Sequence, residues 1–157
     1  MPVTSIQVVV DGPILICYDG SPGAQHAIAV AGALLPGRAA VVLDVGPLDL
    51  VSETYAAGSL GASNIGNAVY EGTLEQAEAG AELAEQAGFD AVPRAAVDAP
   101  TWRGITAVAD EIDAAVIVLG SDGRTGFREL LEGSVSHDVT EHTGRPVLVV
   151  PPAPTSR

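Results

Sequence analysis

Residues 114–136 read AAVIVLGSDGRTGFRELLEGSVS. The opening run, AAVIVLG, is apolar without interruption, the pattern of a strand buried on both faces. It ends in Gly120, and Gly123 and Gly126 follow before a short helix-like run that Gly133-Ser134 breaks. Glycines at a strand-to-helix turn permit positive φ and let a ligand approach the main chain. Free amides in such a turn make a concavity for anions. A helix that starts afresh at Ser134 presents unpaired amides and the positive end of its dipole. Two amide clusters with nine residues between Gly123 and Gly133 are therefore able to fold back and hold a chain of phosphates. Ser134, Ser136 and Arg124 add donors. The alternative is that the glycines only shape a tight crossover.

Working outward, the same alternation of apolar run and helical stripe recurs. PILICY (13–18), AAVVLDV (39–45), AVPRAAV (91–97) and RPVLVV (145–150) read as strands beside AAVIVLG. Pro93 weakens the third and moves it toward an edge. Ser21 is a candidate N-cap with Pro22 in the first helical position, and Pro36-Gly37 ends that helix. Thr73 and Gln76 have capping-box spacing at the start of a second helix that Gly88 closes. Thr101 is the expected cap of a third helix, 101–113, and the last helix runs to about residue 142. Residues 46–72 have no sustained period and are rich in Gly, Ser and Ala. A segment of that kind predicts a mobile loop beside the pocket. The N-terminal run SIQVVV is either an extra edge strand or a flexible lead.

Strands without polar alternation, each followed by a helix, predict one α/β domain over residues 1–157. Its open parallel sheet has the order 3-2-1-4-5, with helices on both faces. Such a sheet binds ligands at the carboxyl ends of its strands beside the topological switch point. The first strand ends at Asp19-Gly20-Ser21 and the fourth at Gly120-Ser121-Asp122-Gly123, so both polar turns fall there.

The 157 residues carry a net charge of −13, and all seven basic residues are arginine. A surface this acidic repels nucleic acid and anionic membrane. The absence of lysine removes Schiff-base chemistry and the lysine-bearing phosphate loop, and a phospho-receiver domain would need a lysine too. No basic leader precedes an apolar stretch, and no run approaches the ~20 residues of a membrane span. The single cysteine, Cys17, excludes an internal disulfide and fits a reducing, cytoplasmic setting. It reads as a strand thiol. His26, His137 and His142 have no cysteine near them and read as solvated helix residues. No catalytic residue and no metal ligand is expected.

The spacing Gly120-x2-Gly123-x9-Gly133-Ser134 resembles the nucleotide-binding signature of the universal stress protein family, in its ATP-binding branch. ILICYDGSPGAQHAIAVAGAL (14–34) is similar to the family's first strand, its aspartate and its first helix. AAVIVLGSDGRTGFRELLEGSVSHDVTEHTGRPVLVVPP (114–152) is similar to its fourth strand, glycine loop, last helix and last strand. The resemblance covers nearly the whole chain. It implies a Rossmann-like (adenine nucleotide alpha hydrolase-like) fold and an ATP-binding regulatory protein of the stress response without strong catalytic activity. The alternatives are a weak ATP-hydrolysing enzyme and a dimeric interaction module that binds no nucleotide. By resemblance, Asp19 holds the adenosine part and the main chain of Val45 meets adenine. Gly120, Gly123, Gly133 and Ser134 hold ribose and phosphates, with Ser136 a lesser contact. Two positions depart from the family. Asp122 stands where relatives often carry a basic residue or histidine, and repels phosphate unless a cation such as magnesium bridges them. Asp44 stands where relatives commonly show histidine. Relatives also pair through the terminal strand, which implies a homodimer through residues 146–151.

Overall fold

Ile14, Leu15 and Ile16 are completely buried because strand β1 (Ile14–Cys17) is the middle of the sheet. It pairs in parallel with β2 (Ala39–Pro47) on one side and β4 (Val116–Gly120) on the other. The computed structural model describes residues 10–58, 62–121 and 134–155. Strands β3 (Asp90–Asp98) and β5 (Val147–Val150) form the two edges, giving the predicted order β3-β2-β1-β4-β5 with every pair parallel. Pro93 lies in edge strand β3 opposite Val42, where a residue without an N–H is tolerated.

Alternate residues of the continuous apolar strands feed two cores. Ile14, Ile16, Val42 and Val118 meet α1 (Pro22–Leu34) and α3 (Ala62–Gln86) on one face. Leu15, Leu43, Ile117 and Leu119 meet α4 (Thr101–Glu111) and α5 (Val135–His142) on the other. Helix α1 begins as read: Ser21 Oγ accepts from Ala24 N at 3.1 Å, and Pro22 occupies the first turn. Such a cap contributes about 1 kcal/mol.

Three local expectations are corrected. The 46–72 segment is not an irregular loop: α2 (Leu48–Ala56) follows β2 directly, and α3 starts at Ala62 rather than Thr73. The reason is tertiary. Val69 and Thr73 lie against Gly46, where the absence of a side chain lets α3 close onto the end of β2. Thr73 is buried, and its hydroxyl donates to Val69 O at 2.7 Å as a mid-helix residue instead of capping an end. Helix α2 has no buried residue, so it sits on the domain rather than in its core. Finally, the residue before α4 is Pro100, in extended backbone, and Thr101 is the first helical residue rather than the cap. The run SIQVVV lies outside the described residues except for Val10, which is exposed. Among the described residues no helix is long and apolar enough to cross a membrane.

Candidate functional site

Parallel strands with right-handed crossovers put every helix N-terminus at the carboxyl edge of the sheet. There β1 and β4 diverge to opposite faces, and a cleft of about 350 Å³ opens. Asp19, Val45, Gly120, Ser134 and Ser136 all line it. These residues lie up to 117 positions apart in sequence (136 − 19), and the topology alone brings them together. Gly123 and Gly133, with Asp122 and Arg124, lie outside the described residues.

Each wall residue is held by its own local chemistry. Asp19 is exposed, and its Oδ1 accepts from Ser21 N at 2.9 Å. Gly20 takes φ +80°, with the Gln76 amide of α3 where a side chain would stand. Ser134 is the N-cap of α5, its Oγ accepting from His137 N at 3.2 Å. The first turn of α5 thus faces the cleft with its dipole positive. Ser121 N and Oγ both donate to Val150 O, at 2.9 and 3.3 Å, which ties the exit of β4 to β5. Gly120 has an ordinary backbone; a side chain there would strike Gly23 of α1. Its glycine is required by helix packing at the cleft floor.

The end of β2 is arranged differently. Tyr18 N donates to Leu43 O at 2.9 Å, and β1–β2 pairing stops at Cys17 and Leu43. Main-chain groups of alternate strand residues point the same way. The amide of Val45 therefore turns toward the gap that β1 has left. It donates to its neighbour's side chain, Asp44 Oδ1, at 2.9 Å. Burial pushes the half-buried Asp44 carboxyl up to about 6; the Val45 hydrogen bond opposes this and the Asp19 carboxylate adds to it. Cys17 also lines the cleft. Burial first, then Asp44 and Asp19, push its thiol well above the usual range, so it stands as a thiol.

Asp44, Ser121 and Thr101 also line the cleft; sequence reasoning puts Ser121 in the turn after β4 and marks Asp44 as a departure from the family, but gives none of the three a contact in the wall. Thr101 was findable, because it opens a helix after a parallel strand. The Asp44 contact was not, because it depends on one side-chain rotamer. His26, His137 and His142 do not line the cleft. His142 stacks on Trp102 with ring centroids 3.9 Å apart, and its Nδ1 lies 2.7 Å from Asp138 O. His137, Asp138 and Glu141 bring ligand atoms within 4.8 Å of one another on α5, a grouping of a size to hold a cation. Exposed acidic groups commonly lie this close without one.

This constellation can be set beside known proteins. The family model described as "Universal stress protein family" matches residues 12–151. A curated relative, universal stress protein MJ0577 of Methanocaldococcus jannaschii, is 39% identical over 46 residues, which is 29% of this chain and 28% of that protein. The solved structure of MJ0577 superposes with a TM-score of 0.73 at 24% identity, covering 94% of this chain and all of the other. A universal stress protein in complex with cAMP gives 0.64 at 21% identity, covering 92% of this chain and all of that one. The Archaeoglobus fulgidus universal stress protein in complex with dAMP gives 0.56 at 20%, covering 90% and 98%. At these identities the superpositions speak to the fold, whereas the family model spans the strands, the turns and the cleft residues together. The chain belongs to the universal stress protein family.

Proposed function

We propose that the protein binds an adenine nucleotide, ATP in the first instance, and acts as a regulatory stress protein rather than as an enzyme. The observation that carries this is the polarity of the cleft. Asp19 and Asp44 stand on the β1–β2 side, and Gly120, Ser134, Ser136 and the α5 N-terminus stand on the β4–β5 side. Carboxylates attract hydroxyl and amino donors and repel phosphate; a helix N-terminus attracts phosphate. A nucleotide therefore enters one way round, with its nucleoside over Asp19 and Val45 and its phosphates at α5. The cleft volume of about 350 Å³ is within the range of small-ligand sites. Structural relatives in complex with cAMP and with dAMP support the ligand class.

Gly123 and Gly133 are proposed to complete the phosphate side with their main-chain amides, and a magnesium ion is proposed to bridge Asp122 and the phosphates. Helix α2 is proposed to move as a flap at the nucleoside end, since it follows β2 directly and has no fully buried residue. Homodimerisation is proposed through residues 146–151, because β5 is an edge strand and Val149 is 41% exposed on it. An uncharged apolar edge invites pairing.

Mass spectrometry of the denatured, freshly purified protein, with calorimetry using ATP, tests the ligand. Copurifying adenine nucleotide or saturable ATP binding is expected. Binding of neither ATP nor adenosine would sink the reading.

A further inference from the structure

The end of β2 presents the cleft with a main-chain donor that is already engaged. Val45 N–H points into the gap beyond β1 and is held by Asp44 Oδ1 at 2.9 Å. The acceptor is on the adjacent residue, so the contact closes a tight ring and contributes nothing to strand pairing. A nucleobase seated between the ends of β1 and β2 with a ring nitrogen toward β2 competes for this same amide. We propose that Asp44 is an internal competitor for the ligand: its carboxylate occupies the Val45 amide, yields it when a nucleobase enters, and takes up a proton as it does so. This rests on the nucleotide reading of the cleft and adds to it a specificity-determining residue.

The proton follows from the surroundings of the carboxyl. Once displaced, Asp44 loses the Val45 hydrogen bond that favours its charged form, while the Asp19 carboxylate that raises it remains at the neighbouring strand end. Described residues of the cleft wall supply no Arg or His to compensate. From β1 the titratable groups nearby are Cys17, Tyr18 and Asp19. From β3 they are Arg94, paired with Glu111 at 2.6 Å, and Asp98, whose Oδ1 accepts from Ala99 N at 2.7 Å. Helix α3 turns Thr73, Ala77 and Gly80 toward the sheet, and α4 turns Gly104 and Ile105 toward it; none of these ionises. The free carboxyl already sits near 6, and losing the Val45 bond moves it higher. Affinity then rises as pH falls from the bound-state value toward the free-state value, and levels off below it. Each unit by which the ligand raises the carboxyl corresponds to about tenfold in affinity.

Adenosine is the probe, because it carries no phosphate to titrate. Calorimetry of the full chain at several pH values between about 5 and 8.5, repeated in buffers of different ionisation enthalpy, reads affinity and proton uptake together. Affinity should rise several-fold on acidification, with net uptake of a fraction of a proton near neutrality. Asp44→Ala should bind adenosine more tightly at high pH and lose the pH dependence. The buffer series on the parent protein gives the answer even where that variant folds poorly. Adenosine binding with flat pH dependence and no proton uptake overturns the inference and leaves the nucleotide site standing. An Asp44→Ala protein that keeps the parent's pH dependence also overturns it. Absence of binding by both adenosine and ATP at every pH removes the nucleotide reading and this inference with it.

Discussion

Gly120 and Gly23 touch: an ideal Cβ on Gly120 would lie 2.5 Å from the Gly23 carbonyl oxygen and 2.9 Å from Ala24 N. The last residue of β4 thus packs directly on the first turn of α1. Since backbone φ at Gly120 is ordinary, the requirement for glycine is steric. Gly120→Ala forces α1 and β4 apart at the floor of the cleft. Overpacking of this kind costs about 1–3 kcal/mol. Thermal or urea denaturation of the variant should show a loss of that order with no nucleotide present. A variant as stable as the parent would show that the helix yields freely.

This pair also indicates what was legible in the sequence. The strands were, because Ile14–Ile16 and Ile117–Leu119 are buried on both faces, and burial on both faces leaves an unbroken apolar run. The connection rules narrowed the strand order without fixing it, since they also allow 2-1-3-4-5; the order β3-β2-β1-β4-β5 is the one the family resemblance implied. The first turns of α3 were not legible. Gly66 and Gly72 lie within them, and their helical state depends on Val69 and Thr73 meeting Gly46, 23 and 27 residues away (69 − 46 and 73 − 46). Of the positions the family signature named, Asp19, Val45, Gly120, Ser134 and Ser136 line the cleft, but the signature does not say why each residue is there. For Gly120 the physical reason is contact with α1, and for Ser134 it is the cap on α5.

Asp44 predicts an unusual pH dependence of stability. Its carboxyl is raised in the folded state from 3.8 to about 6. Below the unfolded value both states are protonated and the group contributes nothing. As pH rises through the window between the two values, the unfolded state gives up its proton first, so stability falls; above about 6 the destabilisation is complete. Two units correspond to an upper bound of about 3 kcal/mol, which solvent screening of a half-buried carboxyl reduces. Asp44→Asn keeps the acceptor for Val45 N and removes the charge. It should be more stable than the parent at about pH 7.5 and equal to it near pH 3.5 by urea denaturation. A variant less stable at the higher pH would contradict the raised carboxyl.

Arg145 fastens the approach to β5 to the end of α4. Its guanidinium donates to Asp110 Oδ1 at 3.0 Å, Asp113 Oδ1 at 2.8 Å and Ala114 O at 2.8 Å. The two carboxylates are well exposed, so the charge attraction is screened and worth little alone. The carbonyl contact and the fixed fork geometry add to it. Arg145→Ala should lower stability by about 1–2 kcal/mol, whereas Arg145→Lys recovers only part, because one ammonium cannot reach three acceptors in that arrangement. Denaturation curves of the two variants check the order.

If β5 pairs with its copy, a charge in the middle of the edge should separate the subunits. Val149 is exposed in the single chain, so lysine there costs the monomer little. Antiparallel pairing about a two-fold axis would bury it beside its symmetry mate and bring like charges together. Sedimentation equilibrium should report a dimer for the parent and a monomer for Val149→Lys. A parent that is monomeric at tens of micromolar would rule out the pairing.

If a nucleotide binds as proposed, Asp19 separates its two ends most cleanly. One of its carboxylate oxygens accepts from Ser21 N, and the side chain is exposed at the mouth of the cleft. Asp19→Asn preserves an acceptor for Ser21 and the shape of the turn, but removes the charge that would strengthen a hydrogen bond to a ribose or amino donor. Charge-assisted bonds exceed neutral ones by about 1 kcal/mol, so adenosine affinity should fall roughly five- to tenfold, with folding stability nearly unchanged. ATP should lose less than adenosine does, because the same substitution relieves repulsion between the cleft mouth and the phosphates. Calorimetry with both ligands on both proteins checks this. Equal losses for the two ligands would mean that the phosphates do not sense Asp19. An unchanged adenosine affinity would place the nucleoside elsewhere in the cleft.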